Sequence, residues 1–311
     1  MGRNRKSSVF YKIIVLILLA LVSLAFARRG AEKPYVQPMI VATSIPALQS
    51  LAEELLRGTP ITVVNPFGNE LSIEELDGIC KQYAEELDAL SPRVTAVITM
   101  RSVIPSDLLF INLRHRNIRT VEIDCATPLS PILTAVGKLT DDRGETLPFV
   151  WLSLSNAIRM AEVLQSDLSA LFPKHAKAIS ANLTDFKLRA NAMRNEIVSR
   201  FLEIENFSAV VLSNDFDYFL KDIDLFVLGS FPPEYRWTAQ QTEEFGSTIS
   251  TGEVGLIVNR WETGNPAQAI MKEYGVNTAV LNTGFPANDS FNDGFLEFWK
   301  RNATAIIEAA R

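Results

Sequence analysis

The sequence predicts an α/β protein of two lobes, each a parallel sheet flanked by helices, joined by one long spine helix. Short apolar runs alternate with segments of helical spacing, and this order is typical of parallel strands with crossover helices. The alternation occurs twice, and a long helical stretch at 173–205 separates the two series. With 311 residues, 47% of them hydrophobic, the chain is long enough to bury the cores of two such lobes.

The first 29 residues are predicted to be a signal peptide or an N-terminal anchor. Basic residues precede an apolar run at 13–24, and Ala-Phe-Ala at 25–27 offers a small-x-small cleavage site. The run is shorter than the roughly 20 residues of a comfortable membrane span, which favours cleavage. Two arginines directly after the site disfavour translocation, so attachment to the membrane through an uncleaved segment is the alternative. In both cases residues 30–311 are expected to be exported, to the periplasm or the cell surface.

The first lobe is predicted to span residues 36–172. Its strands are the apolar runs 39–43, 61–64, 94–99 and 120–123. A helix is expected to open at Pro46 with Ser44 as its cap and to run through Leu55. A second helix is predicted over 73–90, and its glutamates are interpreted as a solvated face.

The spine helix is predicted over 173–205 because nothing inside this stretch breaks a helix and an apolar stripe continues along it. At 1.5 Å per residue it would be about 50 Å long. The second lobe, residues 206–311, follows the same order as the first. Its predicted strands are 209–212, 225–228, 255–258 and 278–281, and a helix from Phe295 to Ala310 closes the chain.

Composition excludes some classes of function. The net charge of -6 and the pI of about 5.2 argue against a nucleic-acid partner, which would need a basic face. No Gly-x-Ser-x-Gly elbow, phosphate-binding Gly-rich loop or His-Glu-x-x-His motif occurs, so we do not expect an enzyme. Cys80 and Cys125 could pair in an exported protein, but two buried thiols are the expected arrangement.

Residues 148–157, Pro-Phe-Val-Trp-Leu-Ser-Leu-Ser-Asn-Ala, resemble a signature of the zinc- and manganese-type solute-binding proteins of ABC transporters. The family signature is Pro-His-Val-Trp-Leu-Asp-Pro-x-Asn-Ala. Segments 208–219, 225–230 and 255–259 resemble further patterns of the same family, and the likeness covers 39–311. The resemblance implies an exported receptor that captures a divalent cation and delivers it to an ABC transporter permease. We expect it to act as a monomer.

The same resemblance implies that the metal ligands have been replaced. By position, the three histidines of the family fall near Ser72, on Phe149 and on Ser213, and the acidic ligand falls within 259–263, where Glu262 is the candidate. A tight transition-metal site needs imidazole, thiolate or carboxylate ligands, which two hydroxyls and a phenyl ring do not provide. The prediction is therefore a receptor with a degenerate metal site.

Polar residues that follow the predicted strands are further candidates, because open α/β sheets bind ligands at the carboxyl ends of their strands. By position, the cleft residues are Ser72, Phe149, Ser213, Asp215, Arg260, Trp261 and Glu262. A weak oxygen-only site for a divalent cation would use Glu70, Asp215, Asp217 and Glu262, although such carboxylates also cap helices and solvate loops.

The sequence is compatible with two alternatives to metal transport. One is a non-transport interaction protein on the same fold. The other is a receptor for a small organic ligand held by Arg101, Arg260 and Trp261. Against the second alternative, these residues could instead form a salt bridge between the lobes and a packed indole.

Overall fold

Two four-stranded parallel sheets form the framework of the part of the chain that the computed structural model describes, residues 39–287 and 290–311. The predicted export segment lies outside these residues. The first sheet has the order β2-β1-β3-β4, and the second repeats it as β6-β5-β7-β8. Their strands are β1 Ile40–Ala42, β2 Thr62–Val64, β3 Val94–Thr99, β4 Val121–Asp124, β5 Ser208–Val211, β6 Phe226–Ser230, β7 Leu256–Asn259 and β8 Asn277–Val280.

The central strands explain why short apolar runs were sufficient to predict the sheets. All residues of β1, β5 and β7 are buried, because helices cover both faces of a parallel sheet. In each sheet the second strand lies on one side of the first strand, and the third and fourth strands lie on the other side. The strand order therefore reverses between β1 and β3 and between β5 and β7. Such a reversal opens a crevice at the carboxyl ends of the strands, where α/β proteins bind ligands.

Ten α-helices connect the strands in the described residues. They are α1 Pro46–Leu56, α2 Leu76–Gln82, α3 Ala84–Leu90, α4 Leu109–Arg116, α5 Leu154–Leu171, α6 Ala176–Phe201, α7 Asp217–Asp222, α8 Ala239–Ser250, α9 Ala267–Tyr274 and α10 Phe295–Ala309. In residues 39–287 and 290–311, none of the helices is long and apolar enough to cross a membrane.

The long helix α6 confirms the predicted spine. It follows one 3-10 turn at Pro173–His175, and its buried stripe includes Phe186, Ala190 and Met193. It packs against α1 and α5, which precede it, and against α10 at the end of the chain. The spine therefore contacts helices from both halves of the protein. The lobe boundaries at 36, 172 and 206 stay predictions.

The start of α1 differs from its prediction. Ile45, not Ser44, is the N-cap residue, and no side chain caps the helix. Pro46 at the first position has no N–H group, so the helix start has one donor fewer to satisfy. The hydroxyl of Thr43 accepts the Ile45 N–H at 3.3 Å, and Ser44 lies fully buried beneath this turn.

The predicted helix at 73–90 is divided. A 3-10 turn at Ile73–Glu75 leads into α2, and α2 and α3 meet at Tyr83, whose backbone departs from helical dihedrals. The Tyr83 ring packs edge-on against Phe67, with 5.4 Å between the ring centroids. Helical spacing in the sequence does not encode this contact with the loop after β2, so the single-helix prediction was wrong. Cys80 and Cys125 are both buried and unbonded.

Candidate functional site

A row of three aromatic rings lies where the loops after the strands of the two sheets meet. The Phe149 ring contacts Trp151 edge-on at 5.4 Å, and Trp151 contacts Phe285 in the same way at 6.4 Å. All three side chains are almost fully buried. Trp151 precedes α5, whereas Phe285 follows β8, so the row joins the first half of the chain to the last strand-end loop.

Hydrogen bonds reinforce the same junction. The Trp151 indole N–H donates to the Thr283 carbonyl at 2.7 Å, and the Trp299 indole N–H donates to the Leu152 carbonyl at 2.9 Å. The backbone N–H of Ala287 donates to the Asn69 carbonyl in the loop after β2, also at 2.9 Å. Buried bonds of this kind hold the two halves together, because an unpaired buried donor would cost free energy.

Arg260 ties together three strand-end loops of the second sheet. From the end of β7, its guanidinium forms an ion pair of 3.3 Å with Asp215 after β5. The same group donates to the carbonyl of Phe285 after β8 at 2.9 Å and lies 5.3 Å from the ring centroid of Trp261. A resident cation therefore neutralises the Asp215 carboxylate beside the aromatic row.

The three positions at which the sequence predicts replaced histidines are occupied by side chains with other roles. Ser72 caps the 3-10 turn at Ile73–Glu75, and its backbone N–H donates to the Glu75 carboxylate at 2.7 Å. Ser213 caps the turn at Asn214–Phe216 and accepts the Asp215 N–H at 3.3 Å. Phe149 has no lone pair to donate and lies in the aromatic row. These donors do not fit a tight site for zinc or manganese.

The carboxylates named as weak metal ligands are dispersed. Glu70 and Glu262 are exposed, and Glu262 lines a separate groove of about 740 Å³ beside α9. Asp217 faces a cavity of about 630 Å³, where burial, followed by the charges of Asp215 and Asp142, raises its pKa to about 6. Within residues 39–287 and 290–311, no three His, Cys, Asp or Glu side chains come close enough to hold a metal ion together.

The proposed organic-ligand residues also have internal partners. Arg101, at the end of β3, forms an ion pair of 3.0 Å with Glu122 on the neighbouring strand β4. Arg260 pairs with Asp215, as described above, so each salt bridge stays beside its own sheet and neither forms the alternative bridge between the lobes. The indole of Trp261 is 55% exposed and is not packed into a core.

A buried carboxyl lies near Arg101, behind the strand ends of the first sheet. Asp107 is fully buried, and one of its oxygens accepts the Leu109 N–H at 3.2 Å. Burial raises the pKa of this carboxyl to about 6, although Ser44, Leu109 and Arg101 oppose the shift. Its other oxygen, the Ser44 hydroxyl and the Arg101 Nε have no hydrogen-bond partner of good geometry among the described residues.

Sequence reasoning missed Phe285 and the carbonyl of Thr283. Both lie in the loop after β8, and the loops considered from the sequence ended with the one after β7. The rule that nominated the other strand ends would also have nominated this loop, because the order β6-β5-β7-β8 places β8 in the same sheet.

The chain matches the model of one protein family over residues 110–309, a family described as the periplasmic component A of a zinc-uptake complex, ZnuA. The chain belongs to this family. It is a solute-binding protein of the type that serves zinc and manganese ABC transporters, and neither the family nor the matched structures are enzymes. Comparison of the sequence with curated proteins finds no match.

Solved structures show the same fold at low identity. A crystal structure of ZnuA is 20% identical, with a TM-score of 0.66, and the match covers 88% of this chain and 99% of that chain. The laminin-binding protein Lmb of Streptococcus agalactiae, described as an adhesin with metal transporting activity, is 18% identical with a TM-score of 0.66. A cadmium-bound periplasmic metal binding protein from Candidatus Liberibacter asiaticus is 14% identical with a TM-score of 0.66. Both of these matches cover 88% of this chain and 100% of the other.

Proposed function

We propose that this protein is an exported solute-binding component of an ABC transporter whose cleft holds no tight transition-metal site. One observation carries the proposal. The strand-end loops contain an unbroken series of contacts through Phe149, Trp151, Phe285, Arg260 and Asp215. The series begins at Phe149, the position assigned to a family histidine, and ends at the carboxylate of Asp215. A divalent cation would have to displace the guanidinium of Arg260 to reach Asp215. We therefore infer that divalent cations bind weakly, through oxygen atoms alone.

Export and the transporter partner belong to the same proposal. The charged start, apolar run and Ala-Phe-Ala segment support secretion, with cleavage near residue 27 or retention as a membrane anchor. Membership of a family of uptake components supports an ABC transporter permease as the partner. We propose a monomeric receptor with no catalytic activity.

The organic-ligand alternative is less well supported by the site. Arg101 and Arg260 each hold a carboxylate of this chain, and binding an anion would require breaking those pairs. The cost of separating a half-buried ion pair opposes such a ligand.

Zinc titration of the purified protein after chelator treatment tests the proposal. We expect no sub-micromolar zinc site in the natural protein. The triple variant Ser72→His, Phe149→His and Ser213→His should bind zinc at least tenfold more tightly, because three imidazoles would enter a scaffold of the matching family. The matched control is the double variant that keeps Phe149, which should gain little, since two ligands do not complete a coordination shell.

Two results would contradict the proposal. Tight stoichiometric zinc in the natural protein would mean that other residues form the site. A correctly folded triple variant with no gain in zinc affinity would mean that the three positions do not converge.

A further inference from the structure

A second cavity lies away from the aromatic row and shares no residue with it. Its volume is about 310 Å³, it is open to solvent, and it is lined by the loop after β4, the start of α5 and one face of α7. The loop and α5 precede the spine helix in the sequence, whereas α7 follows it. The cavity therefore lies between the two halves of the protein.

Cationic side chains dominate this cavity. Lys138, Arg159 and Lys221 line it, together with a single carboxylate, Asp222. The guanidinium of Arg194 lies 3.1 Å from Asp222 and balances its charge. Within residues 39–287 and 290–311, Arg159 and Lys221 form no ion pair or hydrogen bond with another side chain. Among the described residues, they are the cations of the cavity without a direct partner, and Lys221 also lines the neighbouring acidic cavity.

Both carboxylate oxygens of Asp222 already accept hydrogen bonds from the protein. The bonds come from two serine hydroxyls, one backbone N–H and the Arg194 guanidinium, at distances of 2.9–3.1 Å. These donors are Ser153 Oγ, Ser155 Oγ, Leu154 N and Arg194 Nη2. Asp222 thereby caps α5 and anchors it to α7, and it has little capacity to hold a further ligand.

The neutral polar groups of the cavity wall are also paired. The Asn156 side chain accepts the Gly137 N–H at 2.8 Å and donates to the Gly137 carbonyl at 2.9 Å. The Tyr218 hydroxyl accepts the Leu139 N–H at 2.8 Å and donates to the Leu147 carbonyl at 3.2 Å. These bonds hold the loop against both helices, so the cavity is formed in advance, and recognition is left to the cations.

We propose that this cavity binds a small anion through carboxylate or phosphate oxygens. The planar guanidinium of Arg159 can hold two oxygens of one such group, and Lys221 adds positive charge. The Lys138 ammonium donates to the Ser102 carbonyl at 2.8 Å and contributes only its charge. A volume of about 310 Å³ is at the lower end of small-molecule sites, which suits an organic anion better than a single inorganic ion. The proposal does not depend on the proposed transport function.

The neighbouring cavity limits the ligand to a compact one. Beyond Leu139 and Lys221, which line both cavities, lies the 630 Å³ cavity that contains four aspartates. They are Asp141, Asp142, Asp217 and Asp224. Their charges repel any polyanion that extends past Lys221, so a nucleic acid or another long polyanion is excluded.

Calorimetric titration of the purified protein with tricarballylate and with inorganic phosphate tests the proposal, with sodium chloride keeping the ionic strength constant. We expect saturable binding of at least one of them, with a dissociation constant below about 1 mM, and a melting temperature that rises with its concentration. The tighter of the two probes distinguishes a carboxylate ligand from a phosphate ligand.

Three variants assign the binding to the cavity. Arg159→Gln and Lys221→Gln should each weaken binding by about tenfold or more, and Arg159→Lys should fail to restore it, because an ammonium lacks the guanidinium fork. Lys272→Gln, an exposed lysine on the groove beside α9, is the matched control and should leave the affinity unchanged. Lys221 is itself exposed, so its variant should fold even if Arg159→Gln does not. The proposal is overturned if neither anion binds above the chloride background, or if Lys272→Gln weakens binding as much as Lys221→Gln.

Discussion

Replacing Asp107 by asparagine should remove a large pH dependence from the folding stability of this protein. Asp107 is fully buried, and burial raises its pKa from 3.8 to about 6. Arg101 lowers this pKa, and Glu122 raises it. The Cys80 thiol also lies close enough to interact with the charge of Asp107. Its own pKa is raised to about 11, first by burial and then by Asp107.

The sign follows from linkage. A carboxyl with a higher pKa in the folded chain than in the unfolded chain binds its proton more tightly when the protein is folded. The resulting stability is fully present below about pH 4 and is lost as the pH rises to about 6, where the buried group becomes charged. At about 1.4 kcal/mol per pKa unit, the shift corresponds to on the order of 3 kcal/mol.

Urea denaturation of the natural protein and of Asp107→Asn, measured from pH 4 to pH 7, checks this prediction. The difference in unfolding free energy between the two proteins should change by about 2–3 kcal/mol over that range, with Asp107→Asn gaining relative stability as the pH rises. Taking the difference cancels the contributions of groups that do not interact with Asp107, including Asp217. Glu243→Gln, an exposed helical carboxylate, is the control and should run parallel to the natural protein. A parallel curve for Asp107→Asn would refute the reasoning.

Two further changes test the spine and the junction between the halves. Met193→Pro, in the middle of α6, should cost about 3 kcal/mol or more, because proline removes a backbone donor and clashes with the preceding turn. Met193→Leu should cost less than about 1.5 kcal/mol, and equal melting temperatures for the two variants would argue against a continuous helix. Trp151→Phe should cost about 1–3 kcal/mol, because the buried carbonyl of Thr283 loses its donor. The control is Trp261→Phe, which changes an exposed indole and should stay within about 0.5 kcal/mol of the natural protein in the same thermal denaturation assay. A larger loss of stability in Trp261→Phe than in Trp151→Phe would contradict the assignment of the junction.

Local patterns were enough to predict the framework. The runs at Ile40–Ala42 and Leu256–Asn259 are continuous and apolar because both faces of a parallel sheet are covered, and this signal depends only on neighbouring residues. The spine was predictable for a similar reason, since its stripe repeats with the period of one helix. The division of the helix over 73–90 was not predictable from the sequence. It occurs at Tyr83, whose ring contacts Phe67 outside the segment, and helical spacing carries no signal for such a contact.

The sequence by itself determined the two parallel sheets and the spine, and it predicted that Phe149 stands where the family has a histidine. Only the tertiary structure decided what surrounds that phenyl ring. Arg260 meets Asp215 across 45 residues of chain, and it meets Phe285 across 25. These contacts exist because the order β6-β5-β7-β8 brings the carboxyl ends of the strands to one edge of the sheet. The order and register of strands arise from packing between distant segments, so the sequence names the side chains of the cleft but not their partners.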